Sequence, residues 1–524
     1  MVTSSTFTDR RALWAFILGV IAVTAGVLLH MPMFLMGRMT HYQLYGMPMG
    51  IDMYIGMALI VGGVGVAAYG LLPSNIAIQR TTAANIVVAA PEDAQLGRAH
   101  WGLMVVLVIA LVIDVMKPAA LGFAVPGMTS EYHVPKATAS LVAFFALVGT
   151  VVGSIVWGAL ADIYGRKATI LLSAVLFVGT AICGAMPSLA WNIFMCFMMG
   201  AAAGGMLPVT YALLAEMMPS RHRGWSLVLV GGLGAVGGYF AASGASALWQ
   251  STYSWRILFL LNLPTGLLLV LLGNFIPESA KFLIARGRSA EAKEVMERFG
   301  AVASKAPPPK SGNAAHGALK GLHLWGKLTA LSLVGLCWGL INFGLLLWLP
   351  GNLQERGYSV AVAGKLLAES ALIAFPTVFL CALIYTRWST KWSLVSMIGV
   401  TIVGLLLVLK LEVSGGSPVP PVALLIVGST GVLAILLPYC AESFPLRVRG
   451  RTTGWVAACT KAGGVAAQAL SITALVPPMA VVAIAITVPT AIALGLVAWF
   501  GMETRGRDLR VLDPEGNVFA ATGL

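Results

Sequence analysis

Apolar runs of about twenty residues follow one another along this 524-residue chain, each closed by a short polar or basic stretch. They lie near 13–35, 50–72, 101–125, 138–162, 168–187, 190–216, 225–248, 256–276, 328–350, 362–386, 392–411, 421–440, 453–475 and 479–501. A helix rises about 1.5 Å per residue, so about twenty apolar residues cross a hydrocarbon core about 30 Å thick. The pattern predicts an all-α membrane protein with fourteen spans. Twelve of them form two sets of six, and two stand in front. The expected organisation is a helix pair with its linker over 1–100, a first bundle over 101–276, an interdomain loop over 277–327, a second bundle over 328–501 and a tail over 502–524. Within the loop, Pro277 to Gly300 reads as short amphipathic helices. The stretch from Ala306 to Asn313 reads as a linker with no means of packing.

One charged mark occurs in both halves. Glu216-Met-Met-Pro219-Ser-Arg-His-Arg223-Gly224 ends one apolar run, and Glu442-Ser-Phe-Pro445-Leu-Arg-Val-Arg449-Gly450 ends another. Both read E-x-x-P-x-x-x-R-G. The repeat implies two homologous helix bundles joined in one chain, the design of secondary transporters. Lys and Arg set the orientation. With the N-terminus inside, 25 of them fall in inside loops and 3 (Arg38, Lys136, Arg356) in outside loops. That bias places both termini in the cytoplasm.

Composition agrees with the pattern. The chain is 58% hydrophobic and 10% charged, as lipid-facing helices require. Its net charge of +13 is accounted for by the inside loops, so no nucleic-acid partner is implied. The six cysteines lie within apolar runs without metal-ligand spacing. His30, Met31, Met33, Met36, Met39, His41, Met47, Met49, Met53 and Met57 crowd around the outer turn of the N-terminal pair, a soft set for Cu(I). Their spacing is irregular, ordinary packing accounts for them, and no metal is assigned. Neither HExxH nor GxSxG is present, so the chain is not expected to be an enzyme.

Gly158-Ala-Leu-Ala-Asp162-Ile-Tyr-Gly165-Arg166-Lys167 resembles the signature loop of the major facilitator superfamily, G-x-L-x-D-x-x-G-R-K. Its second-half counterpart, Thr386-Arg387-Trp-Ser-Thr-Lys391, keeps the positive charges and lacks the Asp. Pro277-Glu278-Ser279 and Glu503-Thr504-Arg505-Gly506-Arg507 look like the marks of sugar and metabolite porters, P-E-S and P-E-T-K-G-R. Asp114, Gly122 and Pro126 match the first bundle span of aromatic acid:proton symporters, D-G-F-D-x-x-x-x-G-x-x-x-P, with Lys117 where the second Asp belongs. Gly200, Gly204, Gly205 and Pro208 match the fourth, with Cys196 in place of its Arg. Trp338 to Pro350 is similar to the seventh. The resemblance covers 101–510 and leaves 1–100 outside it.

It implies a proton-coupled symporter of a small organic anion such as an aromatic carboxylate, working by alternation of two bundles around a midplane site. Charges inside spans are costly and mark function by default. Asp114 or Glu369 would carry the proton. Lys117 and Lys461 would hold the anion, with Asn342, Trp338 and Trp348 shaping the pocket. The alternatives are a self-neutralising Asp114–Lys117 pair and a Lys461–Glu369 pair. Gly158 would let helices approach closely. Asp162, Gly165, Arg166, Lys167, Glu216, Arg223, Glu442 and Arg449 would form the inner gate. The proton gradient stands in for a cofactor, the partners are lipid, protons and a small molecule, and a monomer is expected. An exporter, a sugar porter and a non-transporting sensor remain the competing functions.

Overall fold

The computed structural model describes residues 10–72, 86–89, 95–285, 287–300, 302–305, 317–414, 416–444, 446–473 and 478–505. Among them, thirteen helices are long and apolar enough to cross a membrane. The helix Leu446–Ile472 occupies the remaining expected run. Arg451, Lys461 and Gln468 dilute its apolar character, so it is not among the thirteen. The fold is all-helical as expected. A ribbon of two four-residue strands is its one addition among the described residues: β1 (Ile86–Ala89) pairs antiparallel with β2 (Val302–Lys305), Ile86 opposite Lys305. The Ala306 to Asn313 linker lies outside the described residues.

The chain forms two compact units. The first comprises 1–223, 237–306 and 350–365; the second comprises 224–236, 307–349 and 366–524.

In the first unit, α1 (Arg10–Leu28) and α2 (Ile51–Leu71) pack antiparallel. Ala12, Gly19 and Gly26 on α1 meet Gly70, Gly63 and Gly56 on α2, small residues seven apart on each helix. A Cβ on Gly19 would lie 2.6 Å from the Gly63 carbonyl oxygen, and one on Gly26 2.5 Å from that of Gly56. Only glycine allows backbones this close, and such small-residue seams hold membrane helices together without a hydrophobic driving force. The bundle helices follow as α3 (Arg98–Tyr132), α4 (Leu141–Tyr164), α5 (Arg166–Gly179), α6 (Leu189–Ala203), α7 (Met206–Met217), α8 (Ser220–Ala245), of which residues 224–236 group with the second unit, and α9 (Asn262–Leu272). The helix pair covers α5: a Cβ on Gly179 would meet Ile60 of α2 at 2.8 Å.

The loop between α1 and α2 is tied down by a buried charge. Glu131 at the end of α3 accepts from the backbone N–H of Leu44 at 2.6 Å and of Tyr45 at 3.2 Å. It pairs with Arg256 at 2.6 Å and takes the Trp255 indole N–H at 2.9 Å. Arg256, fully enclosed, also donates to the carbonyls of Gly184 and Met186. Further hydrogen bonds offset the cost of burying this pair, although the Arg256 Nε–H has no partner among the described residues.

The second unit contains α10 (Gly317–Leu340), α13 (Thr390–Ser414), α14 (Val419–Ser443), α15 (Leu446–Ile472) and α16 (Met479–Phe500), while α11 (Leu346–Glu355), which continues α10, and α12 (Val360–Arg387) each cross the unit boundary. Among the described residues, two helices carry π-turns: Ser246–Gln250 after α8 and Ile341–Leu345 between α10 and α11. The fourth bundle span breaks at Gly204–Gly205 between α6 and α7.

Candidate functional site

The paired marks at the helix ends have the same construction in both units. In the first, Gly165 has φ +102°, a conformation that glycine adopts without strain, and a Cβ there would lie 2.6 Å from Glu278. That turn lets the Glu278 carboxylate cap α5, accepting from the N–H of Arg166 at 2.9 Å. Ser279 next to it donates to Glu216 at 2.5 Å, and Glu216 pairs with Arg166 at 2.8 Å. In the second unit, Glu503 caps α13, accepting from the N–H of Thr390 at 3.0 Å and from the hydroxyls of Ser389 and Thr390. Thr504 next to it donates to Glu442 at 2.9 Å, and Tyr385 donates to the same carboxylate at 2.6 Å. The E-S and E-T dipeptides therefore do one job twice: the acid caps a helix and the hydroxyl holds the repeated glutamate.

The environments of the two caps differ. Burial pushes the Glu278 carboxyl above its ordinary value against its hydrogen bonds. Burial would raise Glu503 too, but the donors from Ser389, Thr390 and Arg505 outweigh it and hold that carboxyl at about 2.

Lys167 is buried at the start of α5. The side chains of Asp162 and Arg449 lie outside the described residues. Arg223 sits, partly buried, near the start of α8. One expectation is corrected: a Cβ on Gly158 would meet nothing within 4 Å among the described residues, so Gly158 is not a close-approach point. That task falls to Gly149 and Gly153 of α4, which face Phe197 and Ala201, and to Gly200 of α6, which faces Ala146.

Of the expected ligand residues in the first unit, Asp114 and Lys117 share one face of α3 and both are buried. The Lys117 ammonium lies 2.8 Å from the centre of the Phe177 ring on α5, and its Nζ makes no hydrogen bond among the described residues. Lys117 is thus lodged inside the first unit, against the span that the N-terminal pair covers. Asp114, one turn earlier, acts on it electrostatically.

The second unit brings three expected residues together around a fourth. Trp338 stands edge-on to Phe343 with ring centres 5.6 Å apart, and its indole N–H donates to the Ser429 carbonyl at 2.8 Å. Asn342 donates to the Trp338 carbonyl at 3.3 Å. Lys461 on α15 places its ammonium 5.5 Å from the Phe343 ring centre, within cation–π range. Trp348 folds back to Gly344, and its buried indole N–H has no hydrogen-bond partner among the described residues. Glu369 is exposed on α12. A cavity of about 10 Å³ beside Trp338, lined also by Cys337, Ile341, Thr401 and Ser429, has room for about one water and none for an aromatic acid.

Several of these residues went unmarked in the sequence. Phe343 lies within the Trp338 to Pro350 motif but is not singled out there as a site residue. Glu131 and Arg256 stand at span ends, where charges are expected. Gln468 is uncharged, and its partner is the Phe343 carbonyl, 125 residues away. The charge of Glu131 and Arg256 was the one usable signal.

The chain matches the Major Facilitator Superfamily over residues 104–468. It is 26% identical over 396 residues to the niacin transporter NiaP of Acinetobacter baylyi, covering 73% of this chain and 88% of that protein. It is 24% identical to the benzoate transport protein of the same organism, covering 81% and 93%. The xylose symporter XylE of E. coli, bound to 6-bromo-6-deoxy-D-glucose, superposes with a TM-score of 0.61 at 16% identity, covering 79% of this chain and 98% of that one. The chain belongs to the Major Facilitator Superfamily: it is a multi-pass membrane transporter and not an enzyme.

Proposed function

We propose that the chain carries a small aromatic carboxylate across the cytoplasmic membrane together with a proton, both termini facing the cytoplasm. The observation that supports this most directly is the grouping of Lys461, Phe343, Trp338 and Asn342 in the second unit. An ammonium beside an aromatic wall, with an amide at its edge, suits a flat anion. Lys461 contacts the carboxylate, Phe343 and Trp348 contact the ring, and Asn342 sets its orientation. Asp114 takes the proton, because a buried carboxylate in a bundle is the group whose charge a proton relieves. The functions of two relatives, niacin and benzoate transport, favour the same substrate class. The proton gradient supplies the energy without a cofactor.

The test is uptake of labelled nicotinate, benzoate and a hexose by cells expressing the chain, with and without a protonophore. Protonophore-sensitive uptake of either acid is expected, reduced at least about tenfold by Lys461→Ala, the order for a lost charged contact. Uptake of the hexose alone would defeat the reading.

A further inference from the structure

The π-turn at Ile341–Leu345 interrupts the helix that carries Trp338, Asn342 and Trp348. Such a turn inserts one residue, rotating everything beyond it by about 100° relative to an uninterrupted helix, and it disturbs the ladder of backbone bonds. A carbonyl released in this way needs a donor when it is buried.

Gln468 brings a donor to a carbonyl within this turn. Its side chain is 1% exposed, and its amide N–H donates to the Phe343 carbonyl. Lys461, Gly464 and Gln468 are spaced i, i+3, i+7 on α15 and so share one helix face. All three address Phe343. The Lys461 ammonium lies 5.5 Å from its ring centre, a Cβ on Gly464 would come within 2.6 Å of the ring, and Gln468 takes its carbonyl. The first unit has a related contact with the roles exchanged, the glutamine in the π-turn and the carbonyl on a regular helix. Gln250, in the π-turn after α8, donates to the Phe123 carbonyl of α3 at 2.8 Å, and Ser246 holds that amide by donating to its oxygen at 2.6 Å. Neither glutamine belongs to a motif shared by the two halves, yet each ties a phenylalanine carbonyl on the opening span of its half.

We infer that Gln468 is a positioning residue: by holding the π-turn it sets how Asn342, Phe343 and Trp348 face Lys461, and so sets the preference for a flat aromatic acid over a saturated one. Without the donor the turn relaxes toward regular helix, and the residues after it rotate away from Lys461. The inference rests on the aromatic-carboxylate reading above and deepens it.

The experiment compares labelled benzoate with cyclohexanecarboxylate, which carries the same charge on a saturated ring. Both are given to the full chain in proteoliposomes under an imposed proton gradient. The variants are Gln468→Leu and Gln468→Met; both bring an apolar side chain of similar size and neither carries a hydrogen-bond donor. The wild type should favour benzoate through a lower KM. In both variants the benzoate KM should rise about tenfold, the order expected for one buried hydrogen bond, while the KM for cyclohexanecarboxylate changes little. Maximal rate and melting temperature report on folding separately, so a variant that misfolds is recognised and the other carries the test. An unchanged ratio of the two KM values overturns the inference, whether both rise together or neither moves. A wild type that takes up neither acid removes the aromatic-carboxylate reading, and this inference with it.

Discussion

Glu278 and Glu503 hold equivalent places in the two halves, yet their carboxyls are driven in opposite directions. Burial dominates at Glu278, whereas hydroxyl and N–H donors overcome burial at Glu503 and hold it at about 2. A carboxylate whose value in the folded chain lies below that of the unfolded chain, about 4.3, adds stability above the unfolded value and loses it as pH falls through the folded one. Glu503→Gln should therefore melt below the wild type near neutral pH in detergent. The gap should narrow as pH drops from about 4.3 toward about 2. A gap that stays constant over this window would show that the carboxylate's charge adds nothing. The E-S and E-T dipeptides were legible as marks. Their work was not, because Glu278 caps a helix 112 residues earlier in the chain and Glu503 one 113 residues earlier.

At the scale of elements, apolar run length located the helices because a span must satisfy its backbone within itself. It did not reveal the interruptions. Gly204–Gly205 and the Ile341–Leu345 π-turn lie in sequence that reads as continuous apolar helix. The glycine register of α1 and α2 was present in the sequence as a seven-residue spacing, but a spacing names no partner helix. The Glu131–Arg256 pair joins four elements: α3, the α1–α2 loop, and the segments around Gly184 and Trp255. Removing one member of a buried pair leaves the other uncompensated and costs about 3–5 kcal/mol. Arg256→Met should therefore lower the melting temperature markedly, and adding Glu131→Gln should restore part of the loss. Equal melting of the single variant and the wild type would show that the pair contributes nothing net.

On the whole-molecule scale the N-terminal pair is the feature that departs most from the family match, which begins at residue 104. The pair belongs to the first unit and covers α5 with an apolar seam. Deleting residues 1–98 would strip that seam from α5 and take the Leu44 and Tyr45 donors from Glu131. The truncated chain should be recovered in much lower yield and melt earlier than the full chain. Recovery and melting equal to the full chain would make the pair an accessory. By itself the sequence determined the number and place of the spans, the two-fold repeat and the family, because these follow from local hydropathy and from motifs a few residues long. Only the tertiary structure decided that Lys117 is held against Phe177 inside the first unit while Lys461 reaches Phe343, since a span's apolar run does not say which face a charged side chain occupies. It alone joined Gln468 to Phe343 and Glu131 to the loop at Leu44. Such contacts cross more than eighty residues of chain, and no local pattern encodes which buried polar groups will satisfy one another.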